Sequence, residues 1–178
     1  HGFVPKVGIE FEAYLMQPDN NGKWVPYDAP GSFVYGTGPM NDPMGVAMAI
    51  DEKADQLGFR IESFNAEFDV GQFEMTLEYD DALASADEAF LFRSMAMDMA
   101  AQRGYRLTFM PRPILEFGGN GLHVNFSLCD KMGNNLMLDS KKEDGLSDLA
   151  KSCISGQLFH MEAMSALCAP TANSYKRL

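Results

Sequence analysis

Two carboxylates one residue apart inside an apolar run set the tightest constraint on this chain. Glu10 and Glu12 lie in VGIEFEAYLM, a stretch that suits an extended strand. Alternate side chains of a strand share a face, so both carboxylates point the same way. Like charges held that close raise each other's pKa and destabilise the fold unless a cation lies between them. A divalent metal ion is the simplest such cation. NAEFDVGQFEMTLEY repeats the pattern, with Glu67 and Glu74 flanking a Gly71-Gln72 turn, and FGGNGLHVNFSL places His123 just after a glycine-rich turn. Asn125 and Ser127 alternate with His123 and share its face of the strand. These segments call for a fold that gathers several acidic strands and one imidazole at a single pocket.

Each of these residues alone suits an ordinary place on a solvent-facing strand or beside a loop; their conjunction points to a metal. Carboxylate oxygens are hard ligands that fit Mg²⁺ or Mn²⁺, and one imidazole among them leans slightly toward Mn²⁺. The three cysteines, Cys129, Cys153 and Cys168, form no Cys-x-x-Cys spacing, so no thiol-rich zinc pattern is present. They read as free thiols in a reducing cytoplasm, the expected location. Fourteen Lys and Arg against 25 Asp and Glu give a net charge of −11. That balance disfavours nucleic acid or an anionic membrane as partner. No run approaches the roughly eighteen apolar residues of a membrane span. Gly118-Gly119-Asn120-Gly121 is too short for a dinucleotide fingerprint. It reads as a tight turn, or as a place where backbone amides approach a ligand closely. Arg177 suits a two-pronged contact with a carboxylate as well as a plain surface position.

At 178 residues the chain fits one domain with a real core. The first strand spans about 5–16. Residues 17–42, dense in Pro, Gly, Asn and Asp, read as a long irregular loop. Asp42-Pro43 opens a helix, with Asp42 as N-cap, running to about Gln56 and closed by Gly58. Strands follow at about 59–68 and 73–79. A long helix then runs from Asp80-Asp81 to Gly104, with Leu83, Ala86, Phe90, Met97 and Ala101 as its apolar face. Tyr105–Met110 and Leu122–Cys129 are strands, 130–142 a polar turn, about 145–168 a helix, and APTANSYKRL a final strand or loop. Without strict strand–helix alternation the order reads as α+β, a largely antiparallel sheet with helices on one side.

The segments EFEAYL, EFDVGQFE, SADEAFLF, LTFMPRP, GNGLHVNFSL, GNNLMLD and APTANSYKRL, in order along almost the whole chain, resemble the catalytic domain of the glutamine synthetase family. YGTGPMNDP and the spacing of the segments look closest to the γ-glutamylamide and γ-glutamylpolyamine ligase branch. The resemblance implies a curved antiparallel sheet and an ATP-dependent ligase. It would join glutamate to ammonia or a small amine through γ-glutamyl phosphate, with two Mg²⁺ or Mn²⁺ ions. It implies that Glu12, Glu67 and Glu74 hold the first metal and Glu10 and His123 the second. It implies that Gly119, through its backbone, and Arg177 contact glutamate, and that Asn125 and Ser127 line the ATP site. It further implies a homo-oligomeric ring.

The chain departs from the family pattern at Asn125, where a second histidine is usual. It departs again at Gly118, where an asparagine is usual, and at Asp69-Val70, where Pro or a small residue is common. Family members also carry a small N-terminal domain and continue past NSYKR. The 178 residues are therefore expected to be part of a catalytic domain, inactive or nearly so alone, with the second metal short of one ligand. The departures leave room for a non-catalytic relative that binds nucleotide or glutamate as a sensor or scaffold. A metal-dependent phosphotransferase on a similar sheet is the third reading.

Overall fold

Strand β1, Val4–Pro18, is the axis of the molecule. The computed structural model describes residues 2–31 and 33–177; His1, Ser32 of the long loop and Leu178 of the terminal segment lie outside them. After β1 come β2 (Trp24–Pro26), α1 (Val46–Leu57), β3 (Ile61–Ala66), β4 (Gln72–Leu77), β5 (Asp80–Asp81), α2 (Ala82–Gln102), β6 (Arg106–Thr108), β7 (Leu122–Cys129) and α3 (Asp148–Cys168), then a 3₁₀ turn at Ser174–Lys176. Every strand pairing is antiparallel. Glu10 and Phe11 pair with both β4 and β7, so those strands flank β1 on opposite edges. Tyr14 likewise lies between β4 and β6. The sheet is thus built outward from one strand, with β3 added beyond β4.

Alternation along β1 divides the molecule into a core side and a polar side. Ile9, Phe11, Ala13 and Leu15 are buried with Phe73, Met75 and Leu77 of β4 in one cluster with α1 and α2. Phe92 of α2 stands between Phe11 and Phe59, its ring centroid 6.0 and 6.3 Å from theirs. The other face of β1 carries Gly8, Glu10, Glu12 and Tyr14. The helical layer is α1 and α2. From α3 only Ala150 is buried, and that helix is tied down at its first turn, where Ser147 accepts from the Ala150 N–H and donates to the Leu136 carbonyl. The three cysteines are free thiols, Cys129 buried. Among the described residues no helix is long and apolar enough to cross a membrane.

The buried face of one helix, the content of the long loop and the start of another helix differ from the sequence expectation. Helix α2 does not bury Leu83, Ala86, Phe90 and Ala101. It turns Ser85, Ala89, Phe92, Ala96 and Ala100 inward and leaves Leu83 and Phe90 76% and 71% exposed. Its apolar residues encircle the axis, so spacing alone selects no face; the small Ser and Ala side chains permit close approach to β1, where Ser85 donates to the Val7 carbonyl at 2.7 Å. The 17–42 loop contains the short β2, and the terminal segment, expected as a strand or a loop, forms a 3₁₀ turn.

Helix α1 begins at Val46, later than Asp42-Pro43 suggests, with Gly45 at φ 65° as its N-cap residue. Asp42 still does the capping chemistry from a distance. Its two oxygens accept from the Val46 and Met48 N–H groups at 2.9 and 3.0 Å, and from the buried Tyr27 hydroxyl at 3.2 Å. Burial holds the Tyr27 hydroxyl well above the ordinary tyrosine range, so it remains a donor. Asp42→Ala should cost about 1–2 kcal/mol by loss of this cap, read as a lower urea midpoint at unchanged m-value.

Candidate functional site

The polar face gathers its acids through strand register. Glu10 sits opposite His123 of β7, and Glu12 opposite Glu74 of β4. Glu74 is in turn opposite Asn65 of β3, and Glu67 begins the turn into β4. His123 Nδ1 lies 2.8 Å from Glu10 Oε2, while the Asn125 amide donates to Glu10 Oε1 at 2.8 Å. Both oxygens of Glu10 therefore have partners. Two sets of ligand atoms result, Glu10–Glu74–His123 and Glu12–Glu67–Glu74, each with all members within 4.8 Å of one another. Glu74 belongs to both.

The electrostatics of this cluster are unfavourable without a cation. Burial, then the Glu12 and Glu74 charges, holds the Glu67 carboxyl above the usual carboxylate range. Burial, then Glu10 and Glu12, does the same to Glu74. Glu67 Oε2 is buried with no hydrogen-bond partner among the described residues. Buried oxygens of this kind are rarely left without a partner. An all-oxygen set with one adjacent imidazole, one oxygen of it orphaned, fits a hard divalent cation.

A second layer holds these acids in place. Gln72, 2% exposed, directs its amide nitrogen to Asn120 Oδ1, the Gly119 carbonyl and Glu12 Oε2 at 2.9, 3.2 and 3.3 Å. The Gly121 N–H donates to the same Glu12 oxygen at 2.8 Å. Asn120 is buried, and its amide donates to the Met110 and Thr108 carbonyls. A Cβ on Gly121 would lie 2.6 Å from Glu12 Oε1, and one on Gly119 would lie 2.7 Å from the Pro111 carbonyl and 2.8 Å from Arg177 Cγ. Those contacts explain glycine at both positions. Sequence reasoning missed Tyr14, Gln72 and Asn120. Period-two spacing was the available signal for two of them: Tyr14 follows Glu10 and Glu12 on one face, and Gln72 precedes Glu74.

Of the residues singled out from sequence, Glu10, Glu12, Glu67, Glu74, His123 and Asn125 converge. Gly119 lies under the Arg177 stem. Ser127 does not join the acids; it stands further along β7, opposite Lys6. The terminal turn that bears Arg177 is fixed by Asn173, whose oxygen accepts from the Arg112 N–H at 2.8 Å and whose amide donates to the Arg112 carbonyl at 3.0 Å.

Raised carboxyl pKa values have a definite sign in stability. The folded protein binds protons at Glu67 and Glu74 more tightly than the unfolded chain does. Their contribution is complete below the unfolded value near 4.5 and is lost as pH rises through the folded values. Metal-free protein should therefore gain stability from these two groups as pH falls from 7 toward 5. The lowered pKa values of Asp80, Asp130, Asp144 and Asp148 act only below the ordinary aspartate value of 3.8, with opposite sign. Urea unfolding at pH 7 and pH 5 checks this; a gain equally large in Glu74→Gln would assign it elsewhere.

Comparison with known proteins gives a consistent picture. The profile of the family described as glutamine synthetase, catalytic domain, matches residues 1–178. The glutamine synthetase of Halobacterium salinarum is 36% identical over 179 residues, covering 99% of this chain and 39% of that protein. The glutamine synthetase of Rhizobium meliloti is 35% identical over 178 residues, covering 99% of this chain and 41% of that protein. A solved structure of apo GmaS without ligand superposes with a TM-score of 0.86 at 33% identity, over 99% of this chain and 42% of that one. The chain thus spans about two-fifths of the length of the relatives it matches.

Proposed function

Because this chain belongs to the glutamine synthetase catalytic-domain family, we propose that its parent protein is an ATP-dependent ligase that joins glutamate to ammonia or a small amine. The observation that carries this reading is the pair of ligand sets meeting at Glu74, with Glu67 Oε2 orphaned between carboxylates. In the proposed roles Glu12, Glu67 and Glu74 hold one Mg²⁺ or Mn²⁺, and Glu10 and His123 hold the second. When bound, the two ions neutralise the charge of the transferring phosphoryl group and align its oxygens.

The reaction proceeds in two displacements. A γ-carboxylate oxygen of glutamate attacks the γ-phosphorus of ATP, and the bond to ADP breaks. The amine nitrogen then attacks the acyl carbon of γ-glutamyl phosphate, the C–O bond to phosphate breaks, and the nitrogen loses a proton to solvent or to the departing phosphate. A carboxylate is a poor electrophile, and phosphorylation provides the leaving group. This chain's residues set the geometry. The Gly121 N–H and Gln72 fix Glu12. Asn125 and His123 fix Glu10, which supports an orienting role for Asn125 beside the nucleotide. Gly119, through its backbone, and Arg177 meet the substrate glutamate in this proposal, and Ser127 stands at the nucleotide end of β7. A homo-oligomeric ring is proposed for the parent. The choice between ammonia and an organic amine belongs to the same proposal, with the γ-glutamylamide branch as the sequence suggests.

The test is an assay of the full-length polypeptide with ATP, glutamate, Mg²⁺ or Mn²⁺, and either ammonia or methylamine. Equal amounts of ADP, phosphate and γ-glutamyl amide are expected. Phosphoryl transfer without an amide would replace the ligase with a phosphotransferase, and nucleotide or glutamate binding without turnover would replace it with a sensor.

A further inference from the structure

Asp69 has no place in the metal sets, yet its carboxylate accepts from both the Gly118 backbone and the buried Tyr14 hydroxyl. It lies in the β3–β4 turn, which ends at Gly71 with φ 77°, and its carboxylate reaches across to the 118–121 loop. Oδ2 accepts from the Gly118 N–H at 2.5 Å and from the Tyr14 hydroxyl at 2.9 Å. Tyr14 is fully buried, and its hydroxyl is also 3.0 Å from the Gly118 carbonyl, so one phenol proton lies between the carboxylate and the loop backbone. The Asp69 N–H meanwhile donates to Gln72 Oε1 at 3.3 Å. That contact turns the Gln72 amide nitrogen toward Gly119, Asn120 and Glu12. Asp69 therefore grips the loop at its start directly, and at its middle through Gln72. The loop's last residue, Gly121, then donates to Glu12.

Positions 69 and 118 are also matched in volume. A Cβ on Gly118 would lie 2.7 Å from Asp69 Oδ2. The carboxylate fills the space that a side chain at 118 would need. These are two of the three places where the sequence leaves the family pattern, and here they touch.

We propose that Asp69 is a positioning residue. Its carboxylate clamps the Gly118–Gly121 loop and through it orients the Glu12 carboxylate and the Gly119 backbone. What the loop is positioned for rests on the ligase reading; the clamp itself does not. Hydrogen bonds to a carboxylate are roughly twice as strong as neutral ones, and loss of a residue that orients a metal ligand typically weakens metal binding by about 10–100-fold.

The experiment uses the full-length polypeptide labelled with ¹⁵N-glycine. In Asp69→Ala the Gly118 amide proton should move upfield, the Gly121 amide that reports Glu12 should shift with it, and the Mn²⁺ dissociation constant should rise about tenfold. Asp69→Asn, which retains an acceptor oxygen, should restore part of each change and serves if the alanine variant fails to fold. Gly118→Ala alone should weaken Mn²⁺ binding, but should add little in the Asp69→Ala background, where its methyl has room. An unmoved Gly118 amide, an unmoved Gly121 amide, or additive effects of the two substitutions would overturn the clamp. Wild-type protein that fails to bind Mn²⁺ would sink the metal reading instead, with the Gly121 response still deciding the clamp.

Discussion

Glu12→Ala is expected to abolish tight binding at the first metal position. Glu12 is the least exposed of the acids paired with His123, its side chain 11% accessible. Gly121 and Gln72 occupy Oε2, while Oε1 stands 4.0 Å from His123 Nε2. The variant should separate two effects of opposite sign. Without metal, removing one charge relieves the repulsion that raises the pKa values of Glu67 and Glu74. With metal at about 100 times its Kd, wild-type protein should gain about 2.7 kcal/mol of stability from binding, and the variant should gain none of it. Thermal unfolding with and without Mn²⁺, beside a calorimetric titration, measures both. Glu12→Gln, which can still accept from Gly121, controls for loss of that hydrogen bond. Mn²⁺ affinity unchanged in both variants would remove Glu12 from the ligand set.

Gln72→Leu should destabilise the protein by about 2–4 kcal/mol, because buried polar groups left without partners cost about 1–3 kcal/mol each. Leucine fills nearly the same volume, so packing changes little. What is lost is the donor to Asn120 Oδ1 and to the Gly119 carbonyl, and the acceptor for the Asp69 N–H. The 118–121 loop should loosen, and Mn²⁺ affinity should fall with it, since Glu12 loses one of its two fixed donors. Urea unfolding reads the first effect and calorimetry the second. A loss below about 0.5 kcal/mol would mean that water replaces the amide without penalty.

Much of the architecture was legible in the chain because it depends on short-range rules. The run around Glu10 and Glu12 became a strand, extended to Val4–Pro18. LHVNFSLC became β7 at its expected limits, and Gly58 closes α1 in the left-handed conformation. Errors arose where local rules leave a choice open. The buried face of α2 was misplaced because an apolar surface that encircles a helix carries no phase. The start of α1 was misplaced because Asp42 caps through space, four and six residues ahead of the N–H groups it serves.

The common face of Glu10 and Glu12 follows from the pleat of one strand, and the family resemblance follows from the order of motifs along the chain; the sequence alone suffices for both. Only the folded structure decides that Glu74 sits opposite Glu12, that Glu67 keeps an oxygen among carboxylates with no hydrogen-bond partner among the described residues, that Ser127 stands away from the acids, and that Asp69 fills the space beside Gly118. The physical reason is distance along the chain. Face sharing is settled by neighbouring dihedral angles, whereas register and contact between segments 49 to 109 residues apart are settled by the packing of the whole sheet.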